Sequence, residues 1–182
     1  MSLPTNLSTG TWTLDSSHSE IGFTVRHAGI SKVRGQFKEA TATLDLADNV
    51  ADSKVNATIQ TASFDSGDVN RDGHVRGEDF FDVEKFPEIS FVSNGIVPKG
   101  DGYELQGDLT IKGVTRPVAL ETEFNGAAVD PFGNTRAGVS AETTISRKDF
   151  GLTWNAVLEA GGVLVSDKVA INLELAFIAQ AA

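Results

Sequence analysis

The chain has 182 residues, of which 40% are hydrophobic and 22% charged, and it carries a formal net charge of −10. That length suits one folded domain with room for a solid core or an enclosed cavity, while the acidic balance argues against nucleic acid, whose binding rests on Lys and Arg neutralising phosphates. With no cysteine in the chain, disulfides and thiol catalysis are excluded, and no apolar run is long enough for a membrane-spanning helix.

The domain is expected to run over residues 1–182, with 1–9 as a flexible N-terminal segment. Met1 to Asp15 shows neither a charged n-region nor an apolar h-region, so a cytoplasmic location is expected, or a periplasmic or secreted one if an export signal has been removed. Asp15-Ser16-Ser17 reads as a turn ahead of His18. From there Ile21, Phe23, Val25 and His27 point one way, and Gly22, Thr24 and Arg26 the other. Residues 47–52 form a turn, after which Val55, Ala57 and Ile59 alternate with Asn56 and Thr58.

The alternation then stops at a polar and aromatic block over 70–91, reading NRDGHVRGEDFFDVEKFPEISF. It predicts a short helical or irregular plug, with a helical piece over 69–77 and a second candidate over 79–85, whose adjacent Phe80 and Phe81 cannot face the same way. Beyond a turn at 98–102 the two-residue period returns with Leu105, Gly107, Leu109 and Ile111, and breaks at Lys112-Gly113 and Pro117. It resumes with Val118, Leu120, Thr122 and Phe124, and after Gly133-Asn134 with Ala137, Val139, Ala141, Thr143 and Ile145. If that strand continues, Arg147 and Asp149 point inward as well. Gly161-Gly162 is a further turn before Val169, Ile171, Leu173, Leu175 and Phe177.

Alternation of this kind is the mark of antiparallel strands with one dry and one wet face. Eight or so such strands close most economically into a barrel, which removes exposed edges; a sandwich is the competing arrangement. A barrel of that size is either filled by side chains or holds one small ligand. The inward set mixes small residues (Ala57, Gly107, Ala137, Ala141) with large ones (Phe23, Phe124, Phe177), and composition leaves both outcomes open.

The polar motifs have dull readings beside sharp ones. His18 and His27 could each satisfy a buried backbone group, or His27 could join Arg147 at a polar ligand head, with a partner for the buried guanidinium required in either case. Asp68 to Asp79 spells D-x-N-x-D-G with a carboxylate at its twelfth position, close to a calcium loop. Its flanks are wrong, because an EF-hand needs a helix on each side and 55–64 reads as strand. Nothing in the histidine spacing supports zinc, and no phosphate cradle or catalytic triad context is visible. No catalytic residue, metal ligand or cofactor is therefore assigned.

Several ordered stretches together carry a resemblance. They are Asp15, His18-Ser19, Phe23 and His27; the Asn70, Arg71-Asp72, His74, Phe80-Phe81-Asp82, Pro87, Phe91 block; Gly107-Asp108-Leu109-Thr110-Ile111 with Gly113-Val114-Thr115; Arg147-Lys148-Asp149-Phe150-Gly151; and Val165-Ser166-Asp167-Lys168-Val169. In this order they resemble the bacterial YceI-like family of lipocalin-like, polyisoprenoid-binding barrels. The resemblance implies an all-β, eight-stranded antiparallel lipocalin-like barrel with a short helical insertion. It implies a non-enzymatic protein that binds, transports or sequesters an amphiphilic isoprenoid-type lipid, of the polyprenyl phosphate or isoprenoid quinone class. Phe23, Val25, Phe91, Leu109, Phe124 and Trp154 are then the candidates for the lipid tail, and His27 and Arg147 for its head. An enzyme acting on a small apolar substrate and a calcium-stabilised stress-related module are the alternatives, and pairing of an exposed strand into a homodimer stays open.

Overall fold

A computed structural model describes residues 2–181. Eleven extended segments make one antiparallel sheet: β1 (Gly10–Leu14), β2 (Glu20–His27), β3 (Ser31–Phe37), β4 (Ala40–Leu46), β5 (Lys54–Gln60), β6 (Phe64–Asp65), β7 (Glu88–Lys99), β8 (Gly102–Ile111), β9 (Val114–Val129), β10 (Thr135–Ser146) and β11 (Val165–Ala179). Their order is β1-β4-β5-β7-β8-β9-β10-β11-β2-β3-β6, and β1 also pairs with β11.

The eleven segments amount to eight strands, because three are bent in the middle. β1 and β2 occupy successive stretches of the same edge of β11, with Leu14 opposite Phe177 and Glu20 opposite Glu174. β4 and β3 in turn line β1 and β2, and β5 and β6 line β4 and β3. The result is a closed eight-stranded antiparallel meander barrel, as expected from the alternation.

At two of the three bends a serine hydroxyl helps to replace lost ladder bonds. In the first, the Ser19 hydroxyl accepts from Ala176 N–H at 3.0 Å and donates to Asp15 O at 2.7 Å. In the second, Lys38 N–H donates to Ser63 O and Glu39 N–H to Ser63 Oγ.

One helix, α1 (Val69–Arg76), enters between β6 and β7, capped by the Asp68 carboxylate accepting from Arg71 N–H at 2.9 Å. The Arg76 guanidinium fastens it to β6 through the carbonyls of Ala62 and Phe64. The expected second helix over 79–85 is instead a string of turns, because Asp82 takes a left-handed φ of 48° that a right-handed helix does not contain. Phe80 and Phe81 do diverge: Phe81 packs on Phe37 and Phe64, Phe80 on His74 and Trp154.

The strands have a terminus end, where β1 starts and β11 finishes, and a helix end. Toward the terminus end Trp12, Ala137 and Phe177 pack with Leu44 and Phe124. Toward the helix end Ile89, Leu109, Ile111, Phe150 and Leu152 pack with Phe81 and Phe91.

Candidate functional site

The interior of the barrel is hollow. A cavity of about 750 Å³ runs through it, within the range of roughly 300–1,000 Å³ typical of small-molecule sites. Its wall is built from the inward positions of the alternation, among them Val55, Ala57, Ile59, Leu105, Leu120, Val139 and Leu173. Several of these, such as Val139 and Leu173, are only half-buried although they point into a closed barrel. Side chains that packed solid would have lost that surface. Residues 2–9, expected to be flexible, lie at the terminus end with Leu3, Pro4 and Leu7 in the lining.

The lining is mostly apolar, with Tyr103 and Thr122 among the few polar members away from the helix end, and its arginines and histidines gather at the helix end. Arg26, His27, Arg71, His74 and Arg147 border the cavity, and no aspartate or glutamate does. In a chain of net charge −10 this segregation is local, and it makes the helix end attractive to an anion. Arg26, His27, Asn70, Arg71 and His74 are also exposed, so the cavity meets solvent between the end of β2 and α1.

These basic side chains differ in how they are held. Arg71 donates from Nε to Ser66 Oγ at 2.8 Å and from Nη2 to Ser66 O at 2.9 Å. His74 pairs through Nε2 with Asp79 Oδ2 at 2.8 Å and sets its ring edge-on to Trp154 at 4.6 Å. The side chains of Arg26 and His27 have no hydrogen-bond or ion-pair partner among the described residues. The alternative in which His18 and His27 satisfy buried backbone groups is corrected: both are exposed, and His18 pairs with Asp15 at 2.8 Å.

Arg147 corrects the strand reading. β10 ends at Ser146, and Arg147–Phe150 is a 3-10 turn, so Asp149 faces solvent instead of the interior. Arg147 itself stays inside, 4% exposed. Its guanidinium donates to four backbone carbonyls: Ser166 from Nε at 2.8 Å, Leu152 and Trp154 from Nη1 at 2.7 and 3.0 Å, and Val165 from Nη2 at 3.1 Å. Burial pushes its pKa below the ordinary arginine value, against the attraction of Asp167. That carboxylate is engaged elsewhere, by Ser146 Oγ at 2.6 Å and Lys148 N–H at 3.2 Å. The guanidinium is thus satisfied in hydrogen bonds, with one of its five N–H donors left over, yet its charge is not neutralised by contact.

All eight candidates, Phe23, Val25, His27, Phe91, Leu109, Phe124, Arg147 and Trp154, border the one cavity. Sequence reasoning missed Arg26, Arg71 and His74 at its rim. Arg26 was placed on the wet face by parity, and α1 had no parity to read. The carboxylates of the calcium-like stretch have other partners: Asp68 caps α1, Asp72 is buried and accepts from Ser66 N–H at 2.9 Å, and Asp79 pairs with His74. Among the described residues no cluster of three or more possible metal ligands occurs.

A closed antiparallel barrel of eight strands around an apolar lumen is a lipocalin-like fold. The model of the YceI-like domain matches residues 12–177, and the chain belongs to that family. A UPF0312 protein of Vibrio parahaemolyticus is 39% identical over 156 residues, spanning 84% of this chain and 82% of the relative. One of Photorhabdus laumondii is 42% identical over 134 residues, 73% of this chain and 70% of that protein. Among solved structures, BcnA of Burkholderia cenocepacia superposes with a TM-score of 0.78 at 26% identity, covering 90% of this chain and 98% of its own. The YCEI protein of Campylobacter jejuni gives 0.73 at 30% identity, over 92% and 97%. A polyisoprenoid binding domain from Saccharophagus degradans, implicated in plant cell wall breakdown, gives 0.71 at 14% identity, over 95% and 100%, and shares the fold.

Proposed function

We propose that this protein binds and carries, or sequesters, an amphiphilic isoprenoid-type lipid, without catalysis, its chain in the lumen and an anionic head at the helix end. One observation carries the reading: the cavity is mostly apolar, and every charged residue on its border is basic. Family membership and the fold shared with a polyisoprenoid binding domain support an isoprenoid chain. An engineered cavity of about 150 Å³ takes one benzene, so this lumen has room for roughly 30 carbons by the same measure. Burying 15 of them is worth on the order of 12 kcal/mol before ordering costs are subtracted. The chain therefore supplies the affinity, and the rim chooses the head. Phosphorylated heads suit guanidinium geometry better than neutral ones.

Competition for a fluorescent apolar dye, N-phenyl-1-naphthylamine, tests this. Farnesyl phosphate should displace it at concentrations about tenfold lower than farnesol. Displacement by neither would remove the lipid reading, and equal displacement would remove the anionic head while leaving the chain.

A further inference from the structure

The largest inward side chains of an eight-stranded barrel ought to meet in its middle, since an interior of this size is about what side chains alone can fill. Phe23 and Phe91 do not. They sit on β2 and β7, and each ring lies down along the wall over a glycine of the neighbouring strand. Phe23 pairs directly with Gly35 of β3. A Cβ on Gly35 would stand 2.9 Å from Phe23 Cε1 and closer still to Cζ. The ring reaches across that glycine to stack on Phe64, at a centroid distance of 5.3 Å and an interplanar angle of 24°. Phe91 leans diagonally over Gly107 of β8, where a Cβ would stand 2.6 Å from Cε2 and equally close to the backbone carbonyl oxygen of Val92. Both glycines occupy inward positions, so any side chain there would take the space in which the ring now rests.

We infer that Gly35 and Gly107 are the specificity-determining positions of the lumen: by letting Phe23 and Phe91 lie flat, they hold open a bore wide enough for a methyl-branched chain. A ring raised from the wall would fill about 150 Å³, the volume of one benzene, roughly a fifth of the cavity. It would do so on one side of the passage. A linear alkyl chain can pass beside such an obstruction, whereas a chain with a methyl branch at every fourth carbon is thicker and cannot. The residue that selects the ligand's shape is therefore one that never touches it. This inference rests on the lipid-carrier reading and adds to it the feature of the chain that is recognised.

Gly35 is the position to test, because the atoms its Cβ would press on are chiefly the far end of a side chain that can rotate, with Asp65 O at 3.2 Å beyond. Dye displacement compares farnesol with 1-pentadecanol, both neutral and both of fifteen carbons. In Gly35→Ala, farnesol should weaken at least tenfold and 1-pentadecanol less than threefold. The double variant Gly35→Ala with Phe23→Ala, which has no ring to raise, should regain farnesol. Phe23→Trp on its own sets a larger ring on the same wall, one that a single glycine cannot seat, and should move the farnesol-to-pentadecanol ratio against farnesol. It decides the matter alone if circular dichroism shows that Gly35→Ala does not fold. Equal losses for both alcohols, no recovery in the double variant, or an unmoved ratio in Phe23→Trp would overturn the inference while leaving the carrier intact. A wild-type protein that takes neither alcohol would overturn both.

Discussion

Two buried or half-buried arginines sit on β10 and just beyond it, and they solve the same problem in opposite ways. Arg136 reaches two carboxylates, Asp15 Oδ2 from Nη1 at 2.7 Å and Asp130 Oδ2 from Nε at 2.6 Å. It ties the bend between β1 and β2 to the turn between β9 and β10. Arg147 reaches four carbonyls and no carboxylate. The first arrangement cancels charge; the second only satisfies donors. An arginine whose charge is already matched has nothing to offer a ligand. One held by neutral dipoles beside an apolar cavity still attracts an anion. The difference separates an arginine whose charge is used within the fold from one whose charge stays unmatched beside the cavity, although residue type alone does not tell them apart.

The comparison breaks most readily at Arg147. Replacing it by Met leaves four carbonyls without their donor. Unsatisfied buried polar groups cost about 1–3 kcal/mol each before relaxation, so a net loss of about 3–5 kcal/mol is expected in urea unfolding. Binding of farnesyl phosphate should fall further than that of farnesol in whatever fraction remains folded. Arg147→Lys retains the charge but not the fork, and should recover part of the phosphate preference with little of the stability. A Met variant as stable as the wild type would mean that the four carbonyls do not depend on this guanidinium.

Arg136 sharpens the contrast through pH. Hydrogen bonds led by the one from Arg136 hold the Asp130 carboxyl down at about 2. Ser17, Arg136 and His18 hold Asp15 well below the usual carboxylate range. A carboxylate with a depressed folded pKa stabilises the protein above its unfolded value, near 3.9, and that stabilisation is lost as pH falls through the folded value. The wild type should therefore lose melting temperature steeply between about pH 4 and pH 2. Arg136→Met should start lower at neutral pH, change less over that window, and converge on the wild type at its acid end. Parallel curves would show that the two carboxylates are held down by their other donors.

Much of this was legible in the chain, and what was not has physical causes. β8 through β11 are long and bury one face, and over β8, β10, β9 as far as Phe124 and β11 from Val169 they keep a two-residue period, so those inward sets were readable residue by residue. The bent strands were harder. β3 and β4 are interrupted at Lys38-Glu39, and Gly35 leaves a gap in the inward row that only the Phe23 ring fills, so no continuous alternation runs from Ser31 to Leu46. Parity carried Arg147 to the right side for the wrong reason, since the strand stops one residue earlier and the side chain enters from a 3-10 turn. The fit of Phe91 over Gly107 depends on a diagonal contact beside a register shift at Ser93/Gly95, which spacing within either strand does not encode. The positions of Arg71 and His74 on α1 depend on where a short helix docks, and a mean pattern over eight residues carries no such information.

The smallest expected effect falls on Arg26 and His27, which complete the series because their side chains are satisfied by nothing else among the described residues. If Arg136 is bound by charge and Arg147 by dipoles, these two are the basic groups at the rim held by neither. Exposed residues without partners contribute little to folding, so Arg26→Gln with His27→Gln should change stability by less than about 0.5 kcal/mol. Their contribution appears only with an anion present. Solvent-exposed charges act on a ligand through a screened field, so the double variant should bind farnesyl phosphate about threefold more weakly at low salt. That difference should shrink as ionic strength rises, and farnesol should not respond at either salt concentration. A drop in farnesol affinity of the same size would place these side chains against the chain instead of the head, and would move the boundary between dry lumen and charged rim inward past Val25.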